Sequence, residues 1–148
     1  MNTTPASAVA IRDAIPSDSP AIARLVNQLG YPSSAEEIRS RLAVFSGRPD
    51  YAVWVAESSG TVVGLVGVFL HYAVEFDGAC GRLLGLVVDE RYRGRGIGKK
   101  LLEVTEQWLT ERRVEKLTLT SGHQRKEAHK FYRRLGYEET GLRFGKKL

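Results

Sequence analysis

Two rhythms of apolar and polar positions alternate along this chain, and each predicts a different kind of element. Val9 to Ile15 reads as a short strand, stopped by Pro16-Ser17-Asp18-Ser19-Pro20, a stretch that also supplies a capping side chain and a proline suited to a first helical turn. Ile22, Leu25, Val26 and Leu29 then recur at helical spacing, which predicts a helix with one buried face running to about Leu29, where Gly30 ends it. Ser33 and Ser34 ahead of Glu36 and Glu37 have the form of a capping box, so a second helix extends to about Phe45 with Ile38, Leu42 and Phe45 on its apolar side.

Beyond Gly47-Arg48-Pro49-Asp50 the period shortens. Tyr51 to Ala56 and Thr61 to Tyr72 are rich in β-branched and aromatic residues around a Ser58-Ser59-Gly60 turn, which predicts a hairpin with unequal arms. A third strand, about Gly81 to Val88, completes an antiparallel meander. Ile97 to Arg112 returns to helical spacing through Ile97, Leu101, Val104, Trp108 and Leu109, and Lys116 to Thr120 alternates as a strand, so the three form one crossover unit. A last helix, about Arg125 to Leu135, presents Ala128, Phe131, Tyr132 and Leu135 before Gly136, and Tyr137 to Thr140 with Leu142 to Lys146 are expected to pair as a closing hairpin around Gly141. The order β-α-α-β-β-β-α-β-α-β-β predicts an α/β (α+β) protein: a mixed sheet made of an antiparallel meander followed by a β-α-β crossover, with helices on both faces.

Composition narrows the class. With 43% apolar and 26% charged residues, the 148-residue chain sits on the globular average, which excludes a disordered, collagenous or fibrous protein. That length suits one core, expected over residues 9–148, with residues 1–8 as a flexible lead-in. The single cysteine, Cys80, excludes an intramolecular disulfide and reads as a small buried side chain. The longest apolar stretch, Thr61 to Val74, is interrupted by Gly64, Gly67 and His71 and falls short of the roughly 20 apolar residues of a membrane span. Met1 to Ala8 lacks the features of a signal peptide, and a cytoplasmic location is expected.

The net charge of +5 is unevenly spread: residues 1–90 carry 6 basic and 10 acidic side chains, and the remainder of the 22 basic and 17 acidic residues falls after Glu90. A basic half implies a solvated surface or a polyanionic partner, whether nucleic acid, a membrane face or a phosphate-bearing cofactor.

Arg93-Gly94-Arg95-Gly96-Ile97-Gly98-Lys99-Lys100 stands between the strand ending near Val88 and the next helix. Glycines there let main-chain N–H groups converge at a helix N-terminus, where the helix dipole favours an anion. The spacing fails the Walker loop, because Gly94 and Gly98 enclose three residues and Lys99 precedes Lys100, and it fails the dinucleotide fingerprint, because Lys99 stands where a third glycine belongs. What remains is Arg-x-x-Gly-x-Gly, Arg93 to Gly98, after a Val87-Val88-Asp89 strand end.

In this loop, and in Ala128-x-x-Phe131-Tyr132-x-x-Leu135-Gly136-Tyr137, the chain resembles the GNAT superfamily of acetyl-coenzyme A-dependent N-acetyltransferases. The likeness extends over the element order from Val9 to Lys146. It implies that the backbone of Leu86, Val87 and Val88 runs beside the pantetheine arm of acetyl-coenzyme A, that Arg93, Gly94, Arg95, Gly96, Ile97, Gly98 and Lys99 hold the pyrophosphate, and that Tyr132 protonates the leaving thiolate. Direct attack of a primary amine on the thioester, without an acyl-enzyme and without a metal, is implied as well. The resemblance places the acceptor side at roughly Asn27 to Phe45 and Glu138 to Lys146, where acidic and basic residues are mixed.

Two residues depart from the family pattern. Gly85 stands where many members carry an acidic residue, so the usual general base is missing, with Glu75, His71 and His123 as substitutes. Arg125 stands where many have an asparagine that touches the pantetheine arm, and it is counted among the cofactor-binding residues. The stretch from Ser121 to Tyr132, with Leu142 to Leu148, is similar to the branch that includes aminoalkylphosphonate acetyltransferases. The expected partner is a small-molecule primary amine, its anionic group favoured by Arg125, His129 and Arg143; neither nucleic acid nor membrane is expected, and a homodimer is left open. The alternatives are a sensor that binds acetyl-coenzyme A without turning it over, motivated by Gly85, and a basic nucleic-acid-binding module.

Overall fold

The computed structural model describes residues 8–148; of the expected lead-in, residues 1–8, only Ala8 falls within them. The chain divides into two compact units, one ending at Thr118 and the other spanning Leu119–Leu148.

The larger unit holds β1 (Val9–Asp13), α1 (Ser19–Leu29), α2 (Ala35–Phe45), β2 (Tyr51–Ser58), β3 (Thr61–Tyr72), β4 (Ala79–Val88), α3 (Ile97–Glu111) and β5 (Leu117–Thr118). The strands form one sheet in the order β1-β2-β3-β4-β5. β1 to β4 run antiparallel and β5 lies parallel to β4, so the meander and the crossover occur as the residue pattern predicts. Strand alternation on β2 assigns the helices to faces: Trp54 meets Trp108 of α3 edge-on, with centroids 5.9 Å apart, whereas its neighbour Val55 is buried in a cluster with Ile22 and Ala23 of α1 and Ile38 of α2. α1 and α2 cover one face and α3 the other.

Local chemistry explains the helix ends. Ser34 Oγ accepts from Glu37 N at 3.1 Å while the Glu37 carboxylate accepts from Ser34 N at 2.8 Å, completing the capping box of α2. Gly30, at φ +103, closes α1 in the left-handed region. At the entrance to α1, buried Asp18 accepts two hydrogen bonds from Arg12, each 2.8 Å, and a third from Ile15 N, while Arg12 Nε reaches Glu57 at 2.6 Å. This network ties β1 to β2 and to the first turn of α1.

Two glycines let α3 seat closely on the sheet. A Cβ at Gly64 would come within 3.0 Å of Leu101, and one at Gly81 within 2.7 Å of Leu109. The helix is thereby held along β3 and β4, with its N-terminus beyond the end of β4.

The smaller unit holds α4 (Lys126–Arg134), which Gly136 follows at φ +90. The expected closing hairpin is corrected: residues 137–148 contain no strand, and 141–148 are exposed throughout. Two arms of four or five residues around one glycine offer too few ladder bonds to hold themselves together. The expected strand Lys116 to Thr120 likewise shrinks to Leu117–Thr118.

Candidate active site

The site begins at the edge of β4. Asp89 N donates to Val63 O at 2.8 Å, and antiparallel pairs alternate, so Val87 directs its main-chain groups at β3 while those of Leu86 and Val88 point to the opposite edge. On that edge β5 pairs only with Gly81 and Arg82. The N–H groups of Leu86 and Val88 therefore lie on a stretch of β4 that no strand of the sheet pairs. A bulge precedes them: Gly67 faces Gly85 and Val68 faces Leu83, leaving Leu84 as the extra residue. Such an insertion bends the strand and resets which side chains face which side.

A tied loop follows. Asp89 is buried, and its carboxylate accepts from Arg91 Nε at 3.3 Å, Nη2 at 3.2 Å and the Arg91 main-chain N at 2.9 Å, which together hold it below the usual carboxylate range. Gln28 of α1 accepts from Glu90 N at 3.0 Å. Arg93 Nε donates to Val88 O at 3.0 Å; Arg95 donates to Arg91 O at 3.3 Å and lies 5.0 Å above the Tyr92 ring. Gly94 and Gly96 adopt φ +77 and +80, conformations that bring the chain round into α3. The first bond of α3 runs from Lys100 N to Gly96 O, so the amides of Ile97, Gly98 and Lys99 have no acceptor inside the helix. The arrangement is an unpaired strand edge leading into an open helix N-terminus, with the charges of Arg93, Arg95, Lys99 and Lys100 nearby.

Beside the bulge, α1, α2 and the sheet enclose an open, mostly apolar cavity of about 190 Å³, with Ile22, Ile38, Leu42 and Phe45 among its walls and Gly85 at the strand side. Arg41 is its single charged lining residue. Neither His71 nor Glu75 lines it: His71 stacks on Phe69, centroids 5.7 Å apart, and Glu75 is exposed in the loop after β3.

In the smaller unit, Tyr132 lies on α4 and is 9% exposed, between the rings of Phe131 at 5.3 Å and Tyr137 at 5.8 Å. Burial pushes its hydroxyl above the ordinary tyrosine range, partly offset by Arg125, so the phenol stays protonated at neutral pH. Arg125 is the residue before α4, and His129 Nε2 is 2.8 Å from Gly122 O.

Residues 20–137 match the acetyltransferase (GNAT) family. The chain belongs to that family. This GNAT acetyltransferase is 29% identical to the aminoalkylphosphonate N-acetyltransferase of Salmonella typhimurium over 84% of its own length and 78% of that protein's. It is 30% identical to the aminoglycoside N(6')-acetyltransferase type 1 of Stenotrophomonas maltophilia over 91% and 90%. An aminoglycoside N-acetyltransferase solved with CoA shares its fold at a TM-score of 0.85, covering 99% of both chains at 20% identity.

Within the GNAT fold, Leu86 to Val88 and Arg93 to Lys99 form one continuous stretch in the larger unit, whereas Tyr132 and Arg125 belong to the smaller one. Asp89 escaped the residue pattern, whereas Gln28 and Arg41 fall within the stretch Asn27 to Phe45 that the resemblance gives to the acceptor side. The turn-starting place of Asp89 after a strand was the one available signal; Gln28 and Arg41 read as ordinary polar positions of helices. Among the described residues, no helix is long and apolar enough to cross a membrane.

Proposed function

We propose that this N-acetyltransferase moves the acetyl group of acetyl-coenzyme A to a small-molecule primary amine by direct attack. One observation carries the reading: the outward N–H groups of Leu86 and Val88 continue, through a loop with two left-handed glycines, into the unpartnered amides of Ile97, Gly98 and Lys99. The first pair suits an extended amide-bearing arm that adds to the sheet like a strand, and the second suits a pyrophosphate. The chemistry that acetyl-coenzyme A supplies when bound is a thioester carbonyl open to nucleophiles.

Each step falls to a group of this chain. An N–H at Leu86 or Val88 donates to the carbonyl oxygen as negative charge develops there. The cavity beside Gly85 holds the amine so that its lone pair faces the carbonyl carbon. As the new C–N bond forms and the C–S bond breaks, Tyr132 gives its hydroxyl proton to the leaving sulfur and recovers one from water, while the amine nitrogen releases its own proton to solvent. Cys80 is 4% exposed within β4 and takes no part. No carboxylate or imidazole lines the cavity, and in this reading the amine arrives unprotonated.

A thiol-release assay with acetyl-coenzyme A and a panel of amines tests the reading. Amine-dependent release of free thiol is expected, with the acetylated amine in equal amount by mass spectrometry. Binding of acetyl-coenzyme A without release for any amine would replace transfer with sensing.

A further inference from the structure

The cavity beside the bulge carries more information than its position. Its walls are aliphatic and aromatic, contributed chiefly by Ile22, Ile38, Leu42, Phe45 and Leu65, and the exposed Arg41 is the one charged residue that lines it. The Arg41 guanidinium forms no ion pair among the described residues; its one side-chain hydrogen bond goes to Ser33 Oγ, at 2.8 Å. Arg12, Arg48, Arg91 and Arg133, by contrast, each face a carboxylate within 4.0 Å. Gly85 lines the same cavity, and its peptide bond to Leu86 carries the N–H that faces the thioester carbonyl in the reading above. The cavity wall thus includes both the strand beside the reacting centre and a residue whose charge has no ion-pair partner among the described residues.

From this we infer that the acceptor is a primary amine on a short apolar body that ends in one anionic group, and that Arg41 selects it. An acceptor with a second ammonium group would find no carboxylate in the cavity and only a like charge in Arg41. Size points the same way. At about 190 Å³ the cavity lies below the roughly 300–1,000 Å³ of sites for drug-sized ligands, so it suits a short amino acid or aminophosphonate rather than a multi-ring amine. Both acids present oxygens in the geometry that a guanidinium fork binds with two parallel hydrogen bonds. The inference rests on the acetyl-transfer reading for the orientation of the amine, and on the cavity alone for its charge preference.

The test is a matched series of acceptors: 5-aminopentanoate, 4-aminobutylphosphonate, pentylamine and 1,5-diaminopentane, each assayed for thiol release with the native protein, Arg41→Gln, Arg41→Lys and Arg41→Glu. The native protein should have its highest kcat/KM for the two acids, and the ratio between them separates carboxylate from phosphonate as the preferred end group. Arg41→Gln should raise KM for both acids about tenfold more than for pentylamine, the size of a charge-assisted hydrogen-bond pair. Arg41→Lys should restore part of the loss, and Arg41→Glu should turn preference toward the diamine. A native preference for 1,5-diaminopentane, or equal effects of Arg41→Gln on acids and pentylamine, would overturn the inference. Should no amine be acetylated, calorimetry of the same series on the CoA-loaded protein decides it: acid binding that Arg41→Gln weakens supports the selectivity while the transfer reading falls, and binding indifferent to Arg41 overturns both.

Discussion

Arg93 and Val88 are joined by a 3.0 Å hydrogen bond from the guanidinium Nε to the main-chain carbonyl. Of the two backbone groups that Val88 turns outward, the acceptor is therefore occupied and the donor remains. The same bond draws the start of the glycine loop against the end of β4, so strand edge and loop are organised before any ligand arrives. Preorganisation of this kind removes an ordering cost from binding.

The loop's role can be tested at Gly96. A Cβ there meets nothing within 4 Å, so the obstacle to substitution is conformational: φ is +80, which a β-branched residue adopts only at a cost of about 1–3 kcal/mol. Gly96→Val should weaken acetyl-coenzyme A binding at least tenfold in calorimetry and, through the same strain, lower the melting temperature by several degrees. Unaltered affinity would remove the loop from the binding site.

Tyr132→Phe keeps the ring and deletes the proton. Because general acids contribute about 10²–10⁴-fold, kcat should fall by at least tenfold while affinity for acetyl-coenzyme A stays within about twofold. Burial keeps the hydroxyl protonated beyond the ordinary tyrosine range, so the native enzyme should show no loss of the acid below pH ~10. Native turnover in the variant would make Tyr132 a packing residue.

Gly85 provides the complementary experiment. With no base in the cavity, kcat/KM should climb with pH toward the acceptor's own pKa, near ~10 for an alkylamine. A Cβ at Gly85 meets nothing within 4 Å, so Gly85→Glu has room for a carboxylate beside the amine and should raise kcat/KM at pH ~7 relative to pH ~9. A native profile already flat from pH ~7, and lost on replacing His71, His123 or Glu75, would identify a base and sink the base-free proposal.

Asp18 governs acid stability. Its hydrogen bonds from Arg12 hold its carboxyl below the ordinary range, so the folded-state pKa lies under the unfolded one. The resulting stability is fully present above the unfolded value of about 3.9 and is lost as pH falls through the folded value. Asp18→Asn should cost about 1–2 kcal/mol at pH ~7, in the lower part of the range for charged hydrogen bonds because the Arg12 side chain is 35% exposed. In urea unfolding the gap between variant and native protein should close as the pH approaches ~2. A gap independent of pH would assign the loss to packing.

What the residue order determines by itself is local. The Ser34–Glu37 box, the left-handed Gly30 and the Gly94–Gly96 pair each act over a span of about four residues, and periodicity alone separates β2, β3 and β4 from α1, α2 and α3. The family motifs were legible for the same reason, since the loop and its helix are contiguous in sequence. The tertiary structure decided whatever depends on partners distant along the chain. Leu84 became a bulge through its register against β3, and Asp18 gained its partner because Arg12, held on its other side by Glu57 of β2, meets it there. Arg41, one of two basic residues of α2, acquired its place only where α1, α2 and the bulge enclose a cavity. The closing hairpin failed as an expectation because alternation describes a strand's two faces and says nothing about whether an edge is available to pair with it.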